Sequence, residues 1–287
     1  MSVSAGDDAD TVAVEAADGH RFELIVRHAV QPRAALLWLP ALGVAARHYL
    51  PFADALAAHG ITVCLHEWRG HGSSNLRAGH ACDWNYRSLL QHDLPAADDA
   101  LRRAVGGLPT VFGGHSLGGQ LASCHAGLSD APGPVGLWLV ASGAPWWRGF
   151  PAPLRYTMPA FYRFMPWLAN RRGALPGRTI GFGGNEARGV IRDWAACGLS
   201  GRYAAHGWNI DLEARLRSVR APVMAVVLSE DRLGPASSLR VLLDKLGSGA
   251  DARIATVDST ALGARADHFA WMRSPGRIAD ILGTAPG

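Results

Sequence analysis

The chain has 287 residues, 48% hydrophobic and 18% charged, with a formal net charge of +4. That composition is ordinary for a soluble globular protein, and the length suits one large α/β domain carrying an insertion. No run of 18 apolar residues occurs, so no membrane span is expected, and the acidic opening "MSVSAGDDAD" lacks the apolar stretch of a secretory signal.

Periodicity predicts alternating strands and helices, the pattern of an α/β sheet. The first ten residues read as a frayed end. "TVAVEAA" and "RFELIVRH" read as two strands joined at Asp18-Gly19. "AALLWLP" is apolar throughout, as expected of a strand covered on both faces. A helix over about residues 49–59 ends at Gly60. "ITVCLHEW" is the next strand. Residues 88–105 have helical period, with Pro95 kinking the segment or starting its second part. "TVFGG" is a strand, "SLGGQLASCHAGL" a helix and "VGLWLVAS" a strand. The rhythm then breaks over residues 145–212, which read as an insertion. "APVMAVVLS", "SSLRVLLDKLG", "ARIATVD" and "SPGRIADILG" restore strand, helix, strand and helix.

Four glycines in the nine residues "FGGHSLGGQ" surround Ser116. Ordering glycine loses more backbone entropy than ordering any other residue, so the cluster needs a geometric reason. Strand, Gly114-His115-Ser116-Leu117-Gly118, then helix is the G-x-S-x-G elbow of a nucleophilic serine in its required context. A serine hydroxyl needs a base. In the order this arrangement takes, an acid and then a histidine follow. "VVLSEDRLGP" offers Asp231, with Glu230 as a substitute. "GARADHFAW" offers His268 after the last strand. Asp267 reads as a loop residue, and the other histidines, His115 included, as structural or exposed. The oxyanion requires two backbone N–H donors. Leu117, which follows the serine, supplies one. The other comes from "LPALGV", at Ala41 or Leu42, because Pro40 has no N–H.

With these residues in hand, the chain resembles the α/β-hydrolase superfamily over nearly its whole length. Within it, the chain is similar to the bacterial serine-aminopeptidase and monoacylglycerol-lipase-like hydrolases. The resemblance rests on "LPALGVAARHYLPFADALAAHG", "EWRGHGSS", "HDLPAA", "GGHSLGGQ" and "FGGNEARGVIRDWAACGLSGRY". It implies a mostly parallel eight-stranded sheet flanked by helices, with core segments 1–144 and 213–287 and a helical cap over 145–212. It also implies a cofactor-free triad at Ser116, Asp231 and His268. Two departures stand out. Pro40-Ala41 replaces a common His-Gly in the oxyanion loop, and Glu67-Trp68 replaces a common Asp before Arg-Gly-His-Gly. "RGHGSS" reads as a turn that buttresses the site.

The insertion is rich in aromatic residues and methionine, which make large, adaptable apolar walls. Trp146, Trp147, Tyr162 and Met165 are the substrate-binding candidates. Residues 148–220 carry 12 Arg against four acids, while the remaining chain is net negative by four. The basic segment suggests attraction to an anionic substrate group or an anionic membrane surface. No nucleic-acid motif accompanies it. The four cysteines show no CxxC pairing and no metal-ligand spacing, so no metal is expected and free thiols in a cytoplasmic protein are.

The function these residues predict is a serine esterase acting on a medium-chain acyl ester or acylglycerol through an acyl-enzyme. A thioesterase, an amidase or peptidase, and an acyltransferase would use the same triad. A non-catalytic ligand-binding protein of the same fold is the alternative from another class.

Overall fold

A computed structural model describes residues 10–129, 133–180 and 184–284. Of the opening expected to fray, residues 1–9 lie outside the described residues, and Asp10 already belongs to a strand.

Strands β1 (Asp10–Glu15) and β2 (Arg21–Arg27) form an antiparallel hairpin whose turn places Gly19 at φ 83°. Strand β3 (Ala34–Leu39) follows, then helix α1 (Leu50–Ala57) and β4 (Ile61–Leu65). Helix α2 (Leu94–Val105) comes after a wide turn over Leu89–Asp93, so Pro95 starts the second part of this segment. Its first-turn position suits a residue without an N–H. Strand β5 (Thr110–His115), helix α3 (Leu117–Leu128) and β6 (Gly136–Val140) complete the first half.

Between β6 and the next strand of the sheet lie helix α4 (Leu154–Arg172), a two-stranded ribbon of β7 (Ala174–Pro176) and β8 (Asn185–Ala187), helix α5 (Arg188–Ser200) and helix α6 (Leu212–Arg217). The ribbon is separate from the large sheet. Strand β9 (Val223–Leu228), helix α7 (Ala236–Leu243), strand β10 (Arg253–Val257) and helix α8 (Gly276–Gly283) end the fold.

Among the described residues, eight strands form one sheet in the order β1-β2-β4-β3-β5-β6-β9-β10. The pairings of β1 with β2 and β2 with β4 are antiparallel, and every other pairing is parallel. The all-apolar β3 explains the layering. Ala35, Leu37 and Leu39 enter one hydrophobic core, and Ala34, Leu36 and Trp38 enter another. Side chains of a strand alternate between faces, so an uninterrupted apolar run means that both faces are covered. The parallel strands all end toward the same edge, where β5, β9 and β10 deliver the site residues.

Candidate active site

At the end of β5 the chain turns straight into α3, and Ser116 is the hinge, at φ 54° and ψ −119°. A non-glycine residue at positive φ carries strain that its surroundings must hold. The close packing around it excludes any side chain at two neighbours. A Cβ on Gly114 would lie 2.3 Å from the Gly118 carbonyl carbon, and one on Gly118 would lie 2.0 Å from the Leu39 oxygen. Both obstacles are backbone, which cannot swing aside. The backbone N–H of Ser116 donates to the Val140 oxygen at 3.1 Å, and its carbonyl accepts from Ser142 Oγ at 2.7 Å. The elbow is thus clamped to β6, and Leu117 opens the helix, where N–H groups have no acceptor within the helix.

Asp231 follows β9, and its carboxylate is sealed from solvent. Oδ1 accepts from the N–H of Leu233 at 2.7 Å and of Gly234 at 2.9 Å. Oδ2 lies 2.7 Å from Nδ1 of His268, which follows β10. A carboxylate on Nδ1 fixes the proton there and leaves Nε2 as the ring's proton acceptor. Glu230, the substitute acid, points elsewhere and accepts from Ser259 Oγ. Asp267 caps the next turn, accepting from the N–H of Phe269 and Ala270.

Ser116 and His268 line one cavity of about 430 Å³. Leu117 and the loop residues Ala41 and Leu42 line it too. The two loop amides differ. The N–H of Ala41 donates to the hydroxyl of Tyr49 at 2.9 Å, and that hydroxyl lies 2.8 Å from Nδ1 of His115. Burial holds the His115 pKa well below the usual histidine value, so the ring is neutral and shares a single hydrogen bond with the Tyr49 hydroxyl. Ala41 is therefore engaged with the core, and Leu42 is the loop residue whose N–H has no partner among the described residues. His115 itself packs behind the elbow, its ring centre 4.7 Å from that of His268.

"RGHGSS" is a buried tie. Arg69 binds both oxygens of Asp93, at 2.7 Å each, and reaches Asp18 at 2.6 Å. The guanidinium is thus anchored from the β1–β2 hairpin and from the residue before α2. Arg69 does not line the cavity that holds Ser116 and His268.

The apolar wall corrects the expectation drawn from the insertion. Tyr162 lines the cavity, but Trp146, Trp147 and Met165 do not. Met165 is 2% exposed and packs with Ala169, Leu175 and Ile191 in a small core of the insertion's own. Trp147 lies under the Arg148 guanidinium, 4.9 Å away, and Trp146 fills the space beside Gly201. The wall is built instead by Leu154, Thr157, Met158, Phe161 and Tyr162 of α4, with Phe150 and Trp194. Five of these sit at i, i+3, i+4, i+7 and i+8, one face of a helix. That spacing was the available signal. Among the described residues no arginine lines this cavity. Several arginines of the insertion instead stack on surface aromatics, Arg155 on Tyr156 and Arg171 on Trp167.

Among the described residues no cluster of three His, Cys, Asp or Glu could hold a metal ion, and no helix is long and apolar enough to cross a membrane. All four cysteines are free.

Residues 30–188, more than half of the chain, match the hydrolase family model described as serine aminopeptidase, S33. No curated protein matches the sequence. Solved structures similar to the chain include an esterase domain from Rhodothermus marinus, at TM-score 0.61 and 18% identity over 96% of each chain. A thermophilic esterase from Thermogutta terrifontis superposes at TM-score 0.60 with 16% identity, over 96% of this chain and 97% of that one. A monoacylglycerol lipase from Paleococcus ferrophilus does so at 0.58 with 17% identity, over 91% and 98%. At such identities the likeness establishes a shared fold.

Proposed function

The chain belongs to the serine aminopeptidase S33 family of hydrolases, and on that premise we propose that it is a serine hydrolase cleaving a carboxylic ester of a medium-chain acyl group or an acylglycerol. The observation that carries the reading is one arrangement. Ser116 is strained into an elbow over the same apolar cavity that His268 enters, with Asp231 fixed behind the imidazole.

In the proposed cycle, Ser116 Oγ attacks the ester carbonyl carbon while its proton passes to His268 Nε2. Asp231, ionised and hydrogen-bonded to Nδ1–H, stabilises the imidazolium. The N–H groups of Leu117 and Leu42 face the oxyanion; Ala41 supports the loop through Tyr49. Collapse of the tetrahedral intermediate expels the alcohol, which takes the proton from His268. Water then attacks the acyl-serine, His268 accepting its proton and returning it to Ser116 as the acid leaves.

Residues 145–212 act as a cap on the core formed by 1–144 and 213–287. The inner face of α4 walls the acyl site and excludes water. Its outer face exposes Tyr156, Phe164 and Trp167 among Arg155, Arg163, Arg171 and Arg172, with no acid between residues 131 and 185. Charge and aromatic content together suit an anionic lipid surface. Sedimentation with phosphatidylserine-containing vesicles, lost in Arg163→Glu/Arg171→Glu and absent with phosphatidylcholine alone, tests that face. Equal binding to both vesicle types would refute it.

A fluorophosphonate probe should label Ser116 and fail to label Ser116→Ala or His268→Ala. Absence of labelling in the wild-type protein would favour a non-catalytic binding role. An ester series of graded acyl length, run beside a thioester and an anilide, fixes the bond cleaved.

A further inference from the structure

Resting on the hydrolase reading, we infer that Gln120 is a specificity-determining residue that hydrogen-bonds an oxygen substituent of the acyl chain, so that oxygenated acyl esters are the preferred substrate class. The cavity's side-chain polarity is almost all spent. The Thr157 hydroxyl donates to the Leu154 oxygen at 2.8 Å, and the Tyr162 hydroxyl donates to the Pro145 oxygen. Ser116 and His268 are reserved for the chemistry. Gln120 is 4% exposed and lines the cavity, one helical turn beyond Ser116 on α3.

Its amide is held in one orientation. Oε1 accepts from the hydroxyl of Tyr203 at 3.2 Å. Tyr203 is in turn fixed by its N–H, which donates to Glu213 at 2.7 Å, and Glu213 is paired with Lys245 at 2.8 Å. Reversing the amide would leave the buried tyrosine proton without an acceptor, so Oε1 belongs on Tyr203. That leaves Nε2 without a partner among the described residues and open to the cavity. A nearly buried amide donor in an apolar wall loses free energy unless something accepts from it. A plain alkyl chain offers no acceptor, whereas a hydroxyl or keto oxygen does. Four residues along a helix correspond to about 6 Å, so that oxygen should sit within a few bonds of the scissile carbonyl.

The test compares kcat/KM for hexanoyl and 3-hydroxyhexanoyl esters of one alcohol. The wild-type protein should favour the hydroxyacyl ester by about tenfold or more. Gln120→Leu should abolish or invert that ratio, and Gln120→Glu, which keeps the acceptor for Tyr203 and loses the donor, should reduce it likewise. Tyr203→Phe, which unpins the amide, should give an intermediate ratio. Fluorophosphonate labelling of Ser116 in each variant verifies the fold. Equal rates on the two esters with labelling intact, or a ratio unchanged in Gln120→Leu, would overturn the assignment and leave the hydrolase reading standing. Turnover of neither ester together with no labelling would sink both.

Discussion

The serine elbow and the insertion over residues 145–212 build one cavity by opposite means. At the elbow, backbone packs on backbone, and the positions of Gly114 and Gly118 admit no side chain. In the insertion, helix α4 offers one face to the cavity and another to solvent, and its contacts are made by side chains. Tight backbone geometry makes a short motif diagnostic, because the residue types follow from sterics. A helix face is a choice among many apolar residues that composition cannot make.

The sharpest way to break this contrast is at Gly118. A methyl group 2.0 Å from the Leu39 oxygen cannot be accommodated without moving β3 away from α3. Gly118→Ala is expected to abolish both soluble folded protein and Ser116 labelling, read by thermal melting and probe incorporation. An alanine variant with wild-type melting would show that the elbow is looser than its geometry implies. Next in size is Asp231→Asn, which keeps shape and burial but leaves the imidazole in the wrong tautomer. A fall in kcat of about 10⁴-fold with little change in melting temperature is expected. A loss below tenfold would remove Asp231 from the proposed triad.

The same contrast explains what could be read from the chain. The strands of the parallel half are legible as apolar runs such as "AALLWL" separated by helical segments, whereas their order in the sheet is not; the serine turn and the order of Asp231 before His268 are legible from the G-x-S-x-G spacing and the residues that follow later strands. Helix α4 escaped because Pro159 and Pro166 lie inside it. Each removes a helical donor, so the segment reads as broken, yet the helix continues through both. A segment that reads as broken has no face to count, and bulk alone singles out Trp146 and Trp147. Met165 shares the period of the wall but lies one turn too far along, over β7 and α5. The Ala41 amide, which its place after Pro40 makes an oxyanion candidate, donates to Tyr49, eight residues away, a partner that local sequence does not show.

Within residues 145–212, the two ends of the apolar stripe separate two kinds of effect. Met165→Ala should lower stability by about 2–5 kcal/mol, as for other buried large-to-small changes, and leave acyl-length preference alone. Met158→Ala, in the cavity wall, should shift the preferred acyl chain toward longer esters with a smaller loss of stability. Denaturant melts and the graded ester series read both. Interchanged outcomes would mean that the wall and the cap core have been assigned to the wrong residues.

The smallest expected effect lies where the two regions are tied together. His71, in the turn after β4, places Nε2 3.2 Å from Glu186 Oε1 on β8. Burial alone would lower the His71 pKa, but the hydrogen bond and charge of Glu186, with Glu67 nearby, raise it above the usual histidine value of 6.5. A folded-state pKa above the unfolded one contributes stability that is fully present below pH 6.5 and is lost as pH rises through the raised value. Arg178 opposes the shift, and the Glu67 carboxyl, itself raised by burial, assists only once ionised. Glu186→Gln removes most of the shift, so its melting temperature should fall below wild type at pH 6 and approach it at about pH 9. A gap that stayed constant across that range would mean that Glu186 acts through its hydrogen bond to the Gly184 N–H, a contact indifferent to the charge on His71.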